Sequence, residues 1–214
     1  MKKNKGTILI CTGLLLIAAA LFLTAYNLFD EARAGNSAKD LADRLREQIV
    51  VTYVEGTDKS YLQPDGTPAQ IVEQPAYVQN PDMEMPVEIL GDYAYIGLLE
   101  IPSLGLELPI IENWSYPALK VAPCRYTGSV YKDNMIISAH NYKTHFGLLD
   151  LLKGGERVIF TDMEGNEFFY EVIGTEILEP TAIEEMKGGD WPLTLFTCTL
   201  GGQSRVTVRC DKVR

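Results

Sequence analysis

The chain has 214 residues, with 29 acidic against 19 basic side chains and a formal charge of −10. That balance excludes a nucleic-acid binder, since such binding rests on neutralising phosphates with a basic surface. With 46% hydrophobic residues there is enough apolar material for one packed domain plus flanking segments.

Met1-Lys2-Lys3-Asn4-Lys5 is followed by a run from Ile8 through Phe29 that holds no charged residue. About 20 apolar residues suffice to cross a bilayer as a helix. The lysines precede the run, so the positive-inside rule leaves the N-terminus in the cytoplasm and everything after Asp30 outside. Residues 1–29 therefore read as a cytoplasmic tip and a transmembrane signal anchor. A cleaved signal peptide is the alternative, and Ala32-Arg33-Ala34 fits a cleavage site; the span is longer than the roughly 7–15 apolar residues of such a peptide, which favours retention.

From Asp30 to about Tyr53, Ala34, Ala38, Leu41, Leu45 and Ile49 recur at three-to-four spacing with charges between them, the pattern of a helix. The amphipathicity is weak, so this helix is expected as a stalk and not as part of a core. From Glu55 to Met85 the composition shifts to Pro, Gly, Gln, Asp and Thr, with turn signals at Pro64-Asp65-Gly66 and Asn80-Pro81-Asp82. Residues 30–85 are thus an extracytoplasmic stalk and linker.

Residues 86–214 are β-rich. Tyr95 to Ile101 and Leu106 to Ile111 form two short strands around Pro102-Ser103-Leu104-Gly105. Ala118 to Ala122 fits one helical turn, and Asn134 to Ala139 a buried strand that ends at His140. Phe146 to Leu152 reads as a short helix closed by Gly154-Gly155. Glu156 to Thr161 and Glu167 to Val172 flank Asp162-Met163-Glu164-Gly165-Asn166, a hairpin signal. Ile173 to Leu178 reads as a further strand that continues from the second arm, and Pro180 to Trp191 is an excursion before the next strand. About eight short strands with brief helices predict a mainly β fold, a small closed barrel that leaves no free edge.

The end of the chain concentrates the chemistry. If a tight turn is centred on Gly201-Gly202, Thr199 faces Ser204 and Cys198 faces Arg205 across an antiparallel pair, with Cβ atoms roughly 5 Å apart. A cation beside a thiol favours the thiolate nucleophile and can stabilise an oxyanion. His140 supplies a candidate proton carrier, which completes a plausible acyl-transfer set. His145 reads as a surface loop residue and is the alternative to His140. Alternation puts Thr194, Phe196 and Cys198 on one face of their strand and Leu195 and Thr197 on the other. On the partner strand Arg205, Thr207 and Arg209 share a face. Of the remaining cysteines, Cys11 lies in the apolar run as inert packing or a lipid attachment point. Cys124 and Cys210 are either a disulfide or, as preferred here, two buried thiols.

Thr194-Leu195-Phe196-Thr197-Cys198 resembles the TLxTC signature of sortases, the cysteine transpeptidases of Gram-positive cell surfaces, and Arg205 follows on the next strand as in that family. Ser138-Ala139-His140-Asn141 is similar to the segment that supplies the family's histidine. The resemblance covers roughly residues 86 to 214. It implies an eight-stranded sortase-type β-barrel in which Cys198, His140 and Arg205 are catalytic, with Thr197, Thr194 and Phe196 near the substrate. Asn141 is a candidate to orient the histidine.

The activity implied is cleavage of a C-terminal, LPxTG-like sorting signal through a thioacyl enzyme, followed by transfer of the surface protein to a cell-wall or pilin amine. The short segment between Pro180 and Thr194 departs from the helical insertion of class B, and the spacer lacks the Asp-Pro-aromatic lid of class C. A class A-like or class D-like member is expected. No cofactor is expected; some sortases bind calcium near the loop before the cysteine strand, for which Glu184, Glu185 and Asp190 are candidates, with an acidic solvated loop the preferred reading. The competing functions are a secreted cysteine protease and a non-enzymatic membrane-tethered barrel.

Overall fold

A computed structural model describes residues 3–56, 61–62, 68–69, 74–199 and 201–213. The turn expected at Pro64-Asp65-Gly66 lies outside the described residues.

A single helix, α1 (Lys3–Gly56), runs through both the apolar segment and the expected stalk. Its first part is apolar on all sides, with Leu15 69% and Phe22 70% exposed, and it is long and apolar enough to cross a membrane. The second part is not a free stalk. Ala34, Ala38, Ala42, Leu45 and Ile49 are buried: Ala38 joins the barrel's main core, and Ala42, Leu45 and Ile49 pack in a second cluster with Tyr95, Leu98 and Ile111. The stripe is weak as an amphipath because most of it is alanine, but small side chains are what allow a helix to lie close against a sheet. An ion pair between Arg46 and Glu107 adds to this docking.

Eight strands form the barrel: β1 (Tyr93–Ile101), β2 (Leu106–Ile111), β3 (Cys124–Thr127), β4 (Met135–Ala139), β5 (Arg157–Asp162), β6 (Glu167–Leu178), β7 (Leu193–Cys198) and β8 (Arg205–Lys212). Neighbours run β1-β2-β3-β4-β7-β8-β6-β5, and β5 pairs back onto β1 to close the ring. All pairings are antiparallel except β2 with β3 and β4 with β7. A further short strand, Glu88–Leu90, lies beside the start of β1. The enclosed side of the wall is apolar, with Ile101, Ile137, Phe160, Leu195 and Val208 fully buried.

Closure is tightest where β1 serves both β2 and β5. Gly97 sits there at φ 152° beside a register shift, and a Cβ on it would lie 2.1 Å from the Thr161 carbonyl oxygen. Only glycine admits that approach.

Most expected elements are present, but Ile173 to Leu178, expected as a further strand, is the second half of one long strand, β6. The differences have local causes. The helical turn α2 (Tyr116–Leu119) starts two residues before the expected Ala118, because the Ser115 hydroxyl caps it by accepting from the Ala118 amide and Pro117 occupies the first turn. Strand β3, hemmed between Pro123 and Gly128, is too short to show alternation and escapes a pattern reading.

The helix expected over 146–152 reduces to one 3-10 turn, Leu149–Leu151. The chain before it is spent on a closed loop: Phe146 donates to the His140 carbonyl at 3.2 Å and Gly147 to the Tyr142 carbonyl at 2.8 Å. A Cβ at Gly147 would come within 2.4 Å of the Asn141 carbonyl oxygen. The hairpin turn after β5 is held by Asp162, whose carboxylate accepts from the Glu164 and Asn166 amides, the Asn166 side chain and the Tyr131 hydroxyl.

Candidate active site

Two registers bring the site together. In the antiparallel pair β7–β8, Cys198 stands opposite Arg205, and Thr199 is bonded to Ser204 beyond it. In the parallel pair β4–β7, Thr197 stands beside Ala139. Parallel strands advance together, so the next residues, Cys198 and His140, emerge at the same level. Adjacent strands lie about 4.8 Å apart, and His140, Cys198 and Arg205 therefore form one row across β4, β7 and β8. The Thr197 hydroxyl donates to the Ala139 carbonyl at 2.9 Å and fixes the two strand ends against each other.

This row borders a cleft on the outer side of the barrel wall. Its other walls are Phe196, the aromatic side chains Tyr126 and Trp114, and Ala182, Ile183 and Met186 from the excursion between β6 and β7. Phe196 meets the Tyr126 ring edge-on at 5.4 Å, and Trp114 meets Tyr126 in the same way. The excursion carries a short helix, α3 (Ile183–Lys187), which lies over β7 and β8.

Arg209 holds it there. Only 6% exposed, its guanidinium donates to the Met186 and Glu185 carbonyls, the Thr194 hydroxyl and the Glu176 carboxylate. The sequence placed Arg209 on the same face as Arg205 but did not reveal this role. The available signal was its two-residue spacing from Thr207, whose hydroxyl also points to Met186.

Of the three side chains expected near the substrate, Phe196 alone lines the cleft. Thr194 and Thr197 are buried; the first is committed to Arg209 and the second to Ala139. Their alternation was correctly read, but β-strand alternation says nothing about what an excursion later covers. Ser138, which the sequence did not single out, lines the cleft with a buried hydroxyl that has no hydrogen-bond partner among the described residues.

The histidines are distinct. His140 lines the cleft with Nε2 unpartnered among the described residues. Burial holds its pKa below the ordinary histidine value, Lys120 adds to the lowering and Asp30 opposes it. His145 is not a surface residue: it is fully buried, and burial, with the His140 charge second, pushes it down to about 4. The loop from His140 to Gly147 folds back on itself, which turns His145 inward.

Cys198 is half-buried at the cleft. Arg205 donates Nη1 to the Gly202 and Ser204 carbonyls at 3.1 Å, which anchors its guanidinium over the β7–β8 turn. Cys124 and Cys210 are separate, buried thiols pushed up to about 12 by burial. Among the described residues no three His, Cys, Asp or Glu side chains converge as a metal site.

Residues 99–213 match the model of the sortase domain family, more than half of the chain. The chain belongs to the sortase family. It is 30% identical over 107 residues to "Sortase D" of Bacillus subtilis, covering 48% of this chain and 53% of that protein. It is 29% identical over 128 residues to "Sortase A" of Bacillus anthracis, covering 56% and 60% respectively. The chain thus spans little more than half the length of the curated relatives it matches. Among solved structures, "Sortase A from Corynebacterium diphtheriae" superposes with a TM-score of 0.51 at 21% identity, over 83% of this chain and 86% of that one. A Clostridium perfringens Sortase D5 transpeptidase superposes at 0.50 and 22%, over 56% and 79%. These two support the fold: a closed, mainly β sortase barrel, here preceded by a long apolar helix.

Proposed function

We propose that this sortase is a membrane-anchored cysteine transpeptidase, class A-like or class D-like, with Cys198, His140 and Arg205 as its catalytic residues. The observation that carries the reading is the row these three form across β4, β7 and β8.

The Cys198 thiolate attacks the carbonyl of the scissile peptide bond, and Arg205 offers its guanidinium fork to the oxyanion that forms. As the tetrahedral intermediate collapses, protonated His140 gives its proton to the departing amine, leaving a thioacyl enzyme. An incoming amine then attacks the thioester, His140 takes its proton, and the Cys198 thiolate is released with a new amide formed. Burial lowers the pKa of His140 and so disfavours the protonated imidazole that donates in this step.

The substrates would be surface proteins bearing an LPxTG-like sorting signal, and the acceptor a cell-wall precursor or pilin amine. The aromatic and aliphatic walls of the cleft suit a short apolar sorting peptide better than a polar ligand. The lysines before the apolar run of α1 support a cytoplasmic N-terminus with the barrel outside.

The test is mass spectrometry of the full chain with LPxTG-like and NPxTx-like peptides. A thioacyl adduct on Cys198, converted to amide product when an amine is added, is the expected result. Free acid formed in preference to amide at saturating amine would make the enzyme a protease instead. No adduct and no cleavage with either peptide class would remove the transpeptidase reading.

A further inference from the structure

The loop that carries His140 is attached to the helix that leaves the membrane. The Tyr142 ring lies against the His140 imidazole, with centroids 5.1 Å apart, and the Tyr142 hydroxyl donates to the Asp30 carboxylate at 2.7 Å. One residue on, the Lys143 amide donates to the Glu31 carboxylate at 2.7 Å, and the Thr144 hydroxyl bonds the Glu31 carbonyl. A Cβ on Gly35 would stand 2.6 Å from Thr144 Cγ2, so helix and loop touch without a gap.

These contacts are separate from the apolar docking of α1. Ala38 to Ile49 already bury the helix against the barrel, whereas the polar groups at 30 and 31 are directed at residues 142–144. Asp30 also directly follows Phe29, the last residue of the exposed apolar run.

We propose that Tyr142 and Asp30 are positioning residues for His140: the juxtamembrane end of α1, through Asp30, holds the Tyr142 ring that sets the imidazole beside Cys198. The proton-carrier role of His140 rests on the function proposed above; the positioning does not.

Two features support a functional tether. The half-buried Tyr142 ring contacts both His140 and, at 5.6 Å, the buried His145, so it is a wedge between the two histidines of the loop. Asp30 is also the one group that raises the pKa of His140, against burial and Lys120. The other charged or titratable groups around the imidazole are His145 on its own loop, Arg33 on α1 beside Asp30, and Glu179, Cys198 and Arg205 around the cleft. Fixing the catalytic loop to the first turn outside the apolar run also sets the cleft at the membrane surface, where a substrate still anchored in the bilayer would reach it.

The experiment uses the full chain in lipid nanodiscs, labelled with 13C-histidine. Only two histidines give signals, and His140→Ala assigns them. Asp30→Asn, Tyr142→Phe and Asp30→Glu are compared with the parent by histidine titration and by steady-state kinetics with a cleavable sorting peptide. Asp30→Asn is expected to move the His140 midpoint down and, because misplacing a catalytic group by about 1 Å can cost up to 100-fold, to lower kcat roughly tenfold with KM unchanged. Tyr142→Phe should act in the same direction more weakly, and Asp30→Glu should restore most of the loss.

An unchanged His140 midpoint in both Asp30→Asn and Tyr142→Phe overturns the proposal, whatever the activity. If no peptide is cleaved even by the parent, the function proposed above fails, and a shifted midpoint still supports the positioning. All three variants keep the buried stripe of α1 intact, and thermal melts equal to the parent's show that the fold is preserved.

Discussion

Each residue type that the chemistry needs occurs both at the cleft of this barrel and sealed away from it. Cys198 lines the cleft, and Cys210 on the neighbouring strand is buried with its thiol pushed up to about 12. His140 lines the cleft, and His145, five residues on, is fully enclosed. Arg205 borders the cleft, and Arg209 is enclosed by four bonded partners. The comparison teaches that residue type does not assign function on this fold. What separates the pairs is which side of the wall, and which side of α3, each side chain occupies.

The largest expected effect is at the cysteines. Cys198→Ala should abolish thioacyl formation while the barrel still melts cooperatively, and Cys210→Ala should leave turnover near the parent's level. Native-state alkylation followed by peptide mapping should mark Cys198 and neither Cys124 nor Cys210, since a buried thiol held up to about 12 offers almost no thiolate. Equal labelling of Cys198 and Cys210 would erase the contrast.

The arginines come next. Arg205→Lys should raise the barrier by about 2.7–4 kcal/mol, the usual cost of one lost oxyanion donor, because a lysine keeps the charge without the planar fork. A variant within a few-fold of the parent in kcat/KM would reduce Arg205 to a source of positive potential.

The enclosed histidine should appear in stability and not in rate. His145 titrates at about 4 in the folded protein against 6.5 in the unfolded chain. Below pH 6.5 the unfolded state therefore takes up a proton that the native state refuses, and stability falls as pH drops from about 6.5 to 4. The loss should be on the order of 3 kcal/mol. Urea midpoints of the parent at pH 7.5 and 4.5, set against His145→Gln, measure it: the variant should lose that part of the slope. An unchanged slope would mean that His145 is already charged when folded.

Arg209→Met should cost about 2 kcal/mol, within the range for charge-assisted hydrogen bonds. Because those bonds hold α3 over the cleft, KM for a sorting peptide should rise more than kcat falls. Loss of kcat alone would place Arg209 with the catalytic set.

Much of this was legible in the sequence because it depends on short-range rules. The Cys198–Arg205 pairing needs only the turn at Gly201-Gly202 and a two-residue period, and the buried strand ending at His140 needs only an apolar run. Thr194 was put near the substrate by strand alternation and Thr197 by the family resemblance; Arg209 and Ala139 take up their hydroxyls. His145 went astray because a loop was equated with the surface. The stripe Ala34 to Ile49 was recognised as helical, but alanine carries too little hydrophobicity to announce that it docks.

By itself the sequence determined the apolar span, the mainly β character of the barrel, the face that Cys198 and Arg205 share, and the family. Those properties are written in the length of an apolar run, in periodicity, in turn chemistry and in a local signature, each readable along a continuous stretch of chain. Only the tertiary structure decided that β4 runs parallel beside β7, which sets His140 next to Cys198 from 58 residues away. It also decided that α3 covers the site face and that α1 reaches the histidine loop. Those facts depend on contacts between distant segments, and a long-range contact leaves no period in the chain to read.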